Sequence, residues 1–463
     1  MYRLYVNGIE NEHHYSELAR EFFADGEYEV VPINIYNASN LALGDHSLVF
    51  NADLTQDRDI IKREMFKALS DITGKLPDWG TLTGVKPLKP AMNLYLKGYD
   101  LEGIDRALAD IYLVSESKRK LIDEILSYQT LNVPITDVKS WAIYTSIPFC
   151  PSICSYCSFG SELARKKSIE RYLPELHKEI GECGKLFTNS DKNIESVYFG
   201  GGTPTSLNGN ELKMLLSHLE YSFNIKLKEI ETTVEAGRPD TIDEDKLDAI
   251  KSAGVNRISI NPQSMNDETL KKIGRSHSSK DIRAAFRMAL EHDFDIINSD
   301  VIVGLPGETT RDIENTIHEL INLGANNITV HTLSVKRGSK LKTQDPEYYL
   351  KGIQEVEKML NTASNMLHEA GFIPYYVYRQ KHQMGSFENT GWCKPGLHSL
   401  YNIRIMEEMQ TIIGLGAGAI GKIYYPAENR LERVPNINDY RMYVDRIDTI
   451  LARKHKYFDE IYI

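Results

Sequence analysis

The feature that most constrains the fold is a regular alternation of short strand-like and longer helix-like segments through the middle of the chain. Six segments rich in β-branched and aromatic residues, punctuated by glycine or proline, have strand character. The predicted strands span 142–147, 195–199, 231–235, 257–260, 297–303 and 328–333. The predicted helices span 168–186, 208–222, 242–253, 266–292, 309–323 and 346–371. This alternation predicts an α/β fold, a parallel sheet either open or curled into a partial barrel, with the active site at the carboxyl ends of its strands.

The segments on either side of this core have different patterns. Residues 1–135 contain strand-like runs at 2–6, 28–36 and 47–51, and helical stretches near 14–24, 57–73, 101–110 and 115–127. After residue 372 the alternation of strands and helices is lost. We therefore predict three domains: an N-terminal small α/β domain with a helical extension (1–135), the parallel core (136–335) and a C-terminal α+β extension at the substrate pocket (336–463).

Charge and composition exclude several classes of function. The net charge of −11 disfavours a nucleic-acid partner, because phosphate binding requires a basic surface. The sequence has no secretory signal and no apolar run of membrane-spanning length, so we expect a cytoplasmic protein with no membrane span. In that reducing compartment cysteines stay available as thiolates.

Three of the five cysteines lie close together in sequence, as Cys150, Cys154 and Cys157. A cubane iron-sulfur cluster has four irons, so three clustered thiolates would leave one iron open for a substrate or cofactor. The odd number of cysteines, and the remote positions of Cys183 and Cys393, disfavour disulfides. Zinc with a histidine as fourth ligand, and thiols without metal, remain alternatives from the spacing alone.

Further chemical motifs follow the predicted strands in order. A glycine-rich segment, 200–204, follows the second strand, Glu235 ends the third, Gln263 follows the fourth, and Asp300 lies in the fifth. Because the carboxyl ends of parallel strands share one edge of a sheet, these groups are predicted to line one cavity.

Together these motifs resemble the radical S-adenosylmethionine (SAM) enzymes, and within them the oxygen-independent coproporphyrinogen III oxidase group. The resemblance covers about residues 140–425 and is carried by 144–159, 198–205, 254–259, 263–264, 274–277 and 300–307. Residues 82–87, 378–381 and 406–408 are similar to the coproporphyrinogen dehydrogenase branch of that group.

The resemblance implies a partial (β/α)6 radical SAM barrel that carries two cofactors. Cys150, Cys154 and Cys157 would hold a [4Fe-4S] cluster, and SAM would bind its open iron through the amino and carboxylate groups. One electron, from an external donor such as flavodoxin or ferredoxin, would cleave SAM to a 5′-deoxyadenosyl radical.

Roles for individual SAM contacts are implied in the same way. Gly201, Gly202 and Thr203 match contacts of the SAM amino group, and Arg275 matches the contact of its carboxylate. The other implied cofactor contacts are Tyr144, Tyr156, Phe159, Glu235, Gln263, Asp300 and Ile302. Glu235, Gln263 and Asp300 would serve the ribose hydroxyls or the amino group, and Ile302 would touch the adenine. Ordinary roles in turns, helix caps, strand ends or sheet core remain open for each residue.

The implied reaction acts on a tetrapyrrole, coproporphyrinogen III. Two propionates would each lose a hydrogen atom, carbon dioxide and an electron, leaving the vinyl groups of protoporphyrinogen IX. Lys336, Arg379 and Lys381 are the candidate cations for the substrate carboxylates.

Two departures from the group's motifs leave other functions open. Phe159 stands where the decarboxylating members have a fourth cysteine, and residues 401–406 replace the His-Asn-x-x-Tyr-Trp heme motif of the related chaperones. A heme chaperone and an anaerobic heme-modifying radical enzyme are therefore the alternatives.

Overall fold

The structure is a computed structural model that describes residues 1–7, 12–24, 26–33, 46–51, 58–157, 160–336, 338–345, 347–380 and 383–462. Its residues form two compact units. The first comprises Met1–Gln129 and Val377–Arg379, and the second comprises Thr130–Tyr376 and Gln380–Ile463. In the described part of the chain, no helix combines the length and the apolar character needed to cross a membrane.

The first unit contains a three-stranded parallel sheet. Its elements are β1 (Tyr2–Asn7), α1 (His13–Ala19), β2 (Tyr28–Ile33), β3 (Ser47–Asn51), α2 (Arg58–Thr73), α3 (Leu88–Leu96), α4 (Leu101–Asp110) and α5 (Glu116–Asn132). The strand order is β2–β1–β3, with Leu4 opposite Val30 and Leu48. Buried apolar side chains, including Leu4, Leu18 and Met65, join this sheet to α1 and α2. The predicted elements are present here, and α3 is an additional helix.

The second unit contains the predicted run of parallel strands and helices. Its elements up to residue 332 are β4 (Ser140–Ile147), β5 (Phe149–Cys150), β6 (Glu162–Leu163), α6 (Lys166–Thr188), β7 (Asn193–Gly201), α7 (Gly209–Phe223), β8 (Glu231–Glu235), α8 (Glu244–Ser252), β9 (Arg257–Ser259), α9 (Asp267–Lys272), α10 (Ser279–Glu291), β10 (Ile296–Val303), α11 (Thr310–Asn322) and β11 (Asn327–Thr332). Strands β4, β7, β8, β9, β10 and β11 lie side by side in sequence order and all pair in parallel. This order is that of a barrel wall, so the predicted α/β fold with six βα units is confirmed.

Residues beyond 332 extend the same sheet at both ends. Their elements are α12 (Lys340–Gln344), α13 (Ile353–Glu369), β12 (Ile373–Tyr378), β13 (Asn389–Cys393), α14 (Leu400–Glu407), β14 (Ile412–Leu415), β15 (Ile420–Tyr425), β16 (Arg430–Pro435), α15 (Tyr440–Asp445) and α16 (Ile447–Tyr462). β14 pairs in parallel with β4, and β15 and β16 follow it antiparallel. At the other end, β13 pairs antiparallel with β11, and β12 forms the edge. Residues 336–376 and 380–463 therefore belong to the same compact unit as the parallel core.

Helix starts follow their capping residues. Asn208, Ser278 and Thr309 each form a capping box with the acidic residue three positions later, at the starts of α7, α10 and α11. The single helix predicted over 266–292 is two helices, because α9 ends at Lys272 and the Ser278 cap starts α10.

Candidate active site

The three clustered cysteines lie on the loop that follows β4. Cys150 ends β5, which pairs in parallel with β6, and Cys154 is buried while Cys150 and Cys157 are half-buried. Within the described residues, no three cysteine, histidine or carboxylate side chains are gathered closely enough to hold a metal ion as they stand.

Hydrogen-bond donors and cations surround the thiols. The Thr203 hydroxyl lies 3.5 Å from the Cys150 Sγ, and a guanidinium nitrogen of Arg238 lies 3.9 Å from the Cys154 Sγ. Lys336 is close enough to Cys157 that the thiol charge acts to raise its pKa, although burial, the larger effect, lowers it. Such donors can hydrogen-bond to the sulfurs of a bound cluster, so the residues present fit a cluster held by three cysteines.

The glycine-rich segment at the end of β7 packs directly on the chain that enters the cysteine loop. The Gly202 N–H donates to the Ile147 carbonyl over 2.8 Å, and the Thr203 N–H donates to the Phe149 carbonyl over 2.7 Å. A Cβ on Gly201, whose φ is +106°, would lie 2.6 Å from the Ser146 Oγ. A Cβ on Gly202 would lie 2.6 Å from the Phe149 carbonyl oxygen. Glycine is thus required here for close approach to the cysteine loop.

Arg275 links the cysteine loop to the ends of two strands. Its guanidinium donates to the Asn261 carbonyl over 2.5 Å, to the Gly237 carbonyl over 3.3 Å and to the Tyr156 hydroxyl over 3.4 Å. Burial raises the pKa of Tyr156, so its hydroxyl stays protonated. The Arg275 Nε is buried without a hydrogen-bond partner, and such an orphaned donor fits an anionic group of a ligand.

Gln263 and Asp300 are held together by the backbone. Gln263 has a positive φ of 70°, an uncommon conformation for a residue with a side chain. Its N–H donates to the Asp300 carbonyl, and its own carbonyl accepts from the Ile302 N–H, each over 3.0 Å. The Asp300 carboxylate accepts from Asn298 over 3.1 Å and lies 3.7 Å from His331. Burial acts to raise the pKa of Asp300, but its hydrogen bonds outweigh this effect and the pKa is lowered.

Glu235 lies beside a group of stacked tyrosines. The Tyr198 hydroxyl donates to its carboxylate over 2.6 Å, and the Tyr198 ring stacks on Tyr401 at 4.7 Å and on Tyr144 at 6.1 Å between ring centroids. Burial raises the pKa of Glu235 to about 7, with the Asp300 charge adding to the effect and the Tyr198 hydrogen bond opposing it. A carboxyl with this pKa can take up or release a proton near neutral pH.

Ile302 and Arg379 lie in other surroundings, the main core and the first unit. Phe159 and Lys381 lie outside the described residues. The side chain of Ile302 is 6 % exposed and belongs to the main core. Arg379 belongs to the first unit, where its guanidinium donates to Glu21 and to the Leu82 carbonyl, each over 2.7 Å. This charge is buried and paired within the first unit, and its role as a substrate contact stays a prediction.

The structure also places a network beside the cysteines that the sequence analysis did not single out. Arg238 is 3 % exposed and donates two hydrogen bonds to Asp240, each over 3.0 Å. It also donates to the Ser152 hydroxyl over 3.1 Å, in addition to its approach to Cys154. The buried His277 lies 3.5 Å from Asp240. Arg238 lies just after β8, the third predicted strand of the core. This position could have identified it as a site residue, because the other site motifs also follow strands.

Comparison with known proteins relates this geometry to a family. The model of the radical SAM superfamily matches residues 144–320. The oxygen-independent coproporphyrinogen-III oxidase-like protein HemZ of Bacillus subtilis is 37 % identical over 427 residues, covering 90 % of this chain and 85 % of that protein. The heme chaperone HemW of the same species is 29 % identical over 306 residues, covering 66 % of this chain and 75 % of that protein. Among solved structures, coproporphyrinogen III oxidase (HemN) from Escherichia coli, a radical SAM enzyme, has a similar fold, with a TM-score of 0.53 and 21 % identity over 70 % of this chain and 72 % of that one.

Proposed function

We propose that this chain, which belongs to the radical SAM superfamily and to the HemZ family of coproporphyrinogen-III oxidase-like proteins, decarboxylates coproporphyrinogen III to protoporphyrinogen IX without oxygen. Its cofactors are the [4Fe-4S] cluster and SAM that the superfamily uses. The similarity to HemZ, a coproporphyrinogen-III oxidase-like protein, supports this choice of substrate.

When bound, the two cofactors supply a radical that removes a hydrogen atom, and the chain supplies position. Cys150, Cys154 and Cys157 would hold the cluster, and the unpartnered Nε of Arg275 is free to bind the SAM carboxylate. Glu235 and Asp300 would accept hydrogen bonds from the ribose hydroxyls and the amino group. After hydrogen loss, the substrate radical would release carbon dioxide and pass one electron to an external one-electron acceptor, forming each vinyl group.

The position of Tyr401 is the observation that favours an enzyme over a heme chaperone. This residue begins the stretch that replaces the heme motif, and it is 4 % exposed within the tyrosine stack. Burial raises its pKa well above the usual value, which disfavours the phenolate that an axial heme ligand requires. Arg404, in the same stretch, is 1 % exposed and paired with Glu195.

A heme chaperone is the second candidate. The similarity to HemW and the phenylalanine at position 159 favour it. Phe159 replaces the fourth cysteine of the decarboxylating members, which is not one of the three cluster cysteines. It therefore concerns the decarboxylation reaction and not the binding of the cluster.

The proposal is tested by anaerobic incubation of the reconstituted protein with a reductant, SAM and coproporphyrinogen III. We expect 5′-deoxyadenosine and protoporphyrinogen IX to accumulate together. Neither product, with stoichiometric heme binding by the same preparation, would instead establish the chaperone.

Lys336 is the candidate substrate contact that remains in the described site. We expect Lys336→Gln to raise the KM for coproporphyrinogen III roughly 10- to 100-fold, because a hydrogen bond to a charged group contributes about 1.5–3 kcal/mol. The kcat should change little. Lys358→Gln, at an exposed position of α13, is the matched control, and an equal KM in both variants would remove Lys336 from the substrate site.

Arg238 is expected to act as a positioning residue for the cluster. Arg238→Gln removes a positive charge and a donor next to Cys154, so the cluster should lose iron to a chelator about 10- to 100-fold faster, and its midpoint potential should become more negative. Arg430→Gln, which breaks an exposed ion pair with Glu428, is the control. An unchanged midpoint potential in Arg238→Gln would show that Arg238 has only a structural role.

SAM affinity is expected to depend on pH through Glu235. Because hydroxyl and amino donors bind the ionised carboxylate better, affinity should fall as the pH drops below about 7, by up to about tenfold per unit. The raised pKa of Glu235 also affects folding. Between about pH 4.5 and about pH 7 the folded chain keeps a proton on Glu235 that the unfolded chain has released, so the free energy of unfolding falls as the pH rises through this range. Titrating SAM binding from about pH 6 to 8 measures how the affinity depends on pH, and Glu235→Gln should flatten that dependence. The same slope in the variant would assign it to another group.

A further inference from the structure

The surface around the cysteine loop is basic, although the chain carries a net charge of −11. Six exposed cationic residues, here called the basic rim, lie on three separate segments. They are Arg165, Lys166, Lys167, Lys271, Lys272 and Lys340.

Backbone hydrogen bonds tie all three segments to the cysteine loop. The Ala164 N–H donates to the Cys150 carbonyl over 2.8 Å, just before Arg165. The Ser155 N–H donates to the Ile273 carbonyl over 2.9 Å, next to Lys272. The Leu341 N–H donates to the Ser155 carbonyl over 2.9 Å, next to Lys340. Consecutive Cα atoms are about 3.8 Å apart, so each segment brings its cations to the rim of the loop.

Nearby carboxylates neutralise this charge only in part. Lys166 lies 3.8 Å from Glu170, but both side chains are more than half exposed, so the pair contributes little. Among the described residues, no carboxylate oxygen lies within 4.0 Å of the charged group of any of the other five rim side chains. Glu162 is paired with Arg441 at 2.9 Å, and Asp267 accepts the Ser279 N–H over 2.6 Å. The rim therefore keeps an excess of positive charge.

The rim suits a protein partner better than a single small anion. Its cations are spread over three segments, and Leu163, 42 % exposed on β6, adds apolar surface beside them. A small apolar contact within complementary charges is typical of weak, transient electron-transfer complexes. An acidic protein would be repelled by the chain as a whole and attracted at this face, which fixes its orientation.

We propose that the basic rim is the docking surface for an acidic flavodoxin-type carrier protein that delivers single electrons to the cluster. The step moves one electron from the reduced flavin, which becomes the semiquinone, to the cluster, and no atom is exchanged. The proposal rests on the cluster and SAM, and it does not depend on which tetrapyrrole is the substrate.

The test compares two charge-matched double variants without any tetrapyrrole present. Lys167→Glu with Lys272→Glu reverses two rim charges, and Lys226→Glu with Lys228→Glu reverses two exposed charges before the amino end of β8. Stopped-flow absorbance gives the second-order rate of cluster reduction by purified flavodoxin hydroquinone at several salt concentrations. We expect the rim variant to be at least about tenfold slower at low salt and nearly independent of salt, and the control variant to resemble the unchanged chain.

Two further measurements separate docking from other effects. Photoreduced 5-deazaflavin, a small reductant, should reduce the cluster equally fast in all three proteins. Oxidised flavodoxin should bind the metal-free chain at low salt, and more weakly after the rim substitutions. Equal flavodoxin rates in both variants would overturn the proposal. So would a rim variant whose only change is a higher KM for coproporphyrinogen III with the small reductant, since the rim would then be a substrate surface.

Discussion

Replacing Cys154 with alanine is expected to abolish the [4Fe-4S] cluster. Three thiolates are the fewest that can hold a cubane with one open iron, and the remaining two would leave two irons without protein ligands. Cys154 is 8 % exposed, so no ligand from solvent replaces it easily. Iron and sulfide content, with the visible absorption after anaerobic reconstitution, measures the loss.

Cys183→Ala is the matched control for that experiment. Cys183 is fully buried on α6, and burial raises the pKa of its thiol to about 12, so it stays protonated and does not bind metal. This variant should reconstitute like the unchanged chain. If Cys154→Ala kept the same iron and sulfide, or if the unchanged chain took up zinc and no iron, the cysteine loop would not be a cluster site.

Arg275→Gln is expected to weaken SAM binding roughly 10- to 100-fold while the cluster remains. The Nε of Arg275 is buried without a partner, and the carbonyls of Gly237 and Asn261 hold the rest of the guanidinium in place. A guanidinium bond to a carboxylate contributes about 1.5–3 kcal/mol, which corresponds to this change in affinity. Equilibrium binding of SAM to the reconstituted protein gives the dissociation constant.

Arg283→Gln is the control for Arg275→Gln, because Arg283 makes an exposed two-bond ion pair with Glu319 on the helical surface. Its SAM affinity should match that of the unchanged chain. Equal affinities in both variants would leave Arg275 as a link between the cysteine loop and two strands. Loss of the cluster in Arg275→Gln would likewise point to a structural role.

The sequence predicted the parallel core well because its signals are local. Each of the six strands has its own β-branched run, and β8 begins and ends where the sequence predicts. The break between α9 and α10 was missed because the apolar pattern continues across it, although Ser278 and Asp281 carry the signal for a new helix start.

The sequence predicted site residues that lie at or just after the ends of strands. It did not predict contacts between side chains that are far apart in sequence. Arg379 looks like a free cation in a basic stretch, but its partner Glu21 lies 358 residues away. The stacking of Tyr401 on Tyr198 likewise depends on how α14 packs near the core strands. Neither contact leaves a periodic or spacing signal.

The most direct test of the central claim uses coproporphyrinogen III deuterated at the propionate carbon next to the pyrrole ring. The reconstituted, reduced protein is incubated anaerobically with SAM and this substrate, and the 5′-deoxyadenosine is analysed by mass spectrometry. If the chain directs the SAM radical at the propionates, 5′-deoxyadenosine will carry one deuterium and will form in step with carbon dioxide. Unlabelled 5′-deoxyadenosine, formed at the same rate without substrate, would contradict the account.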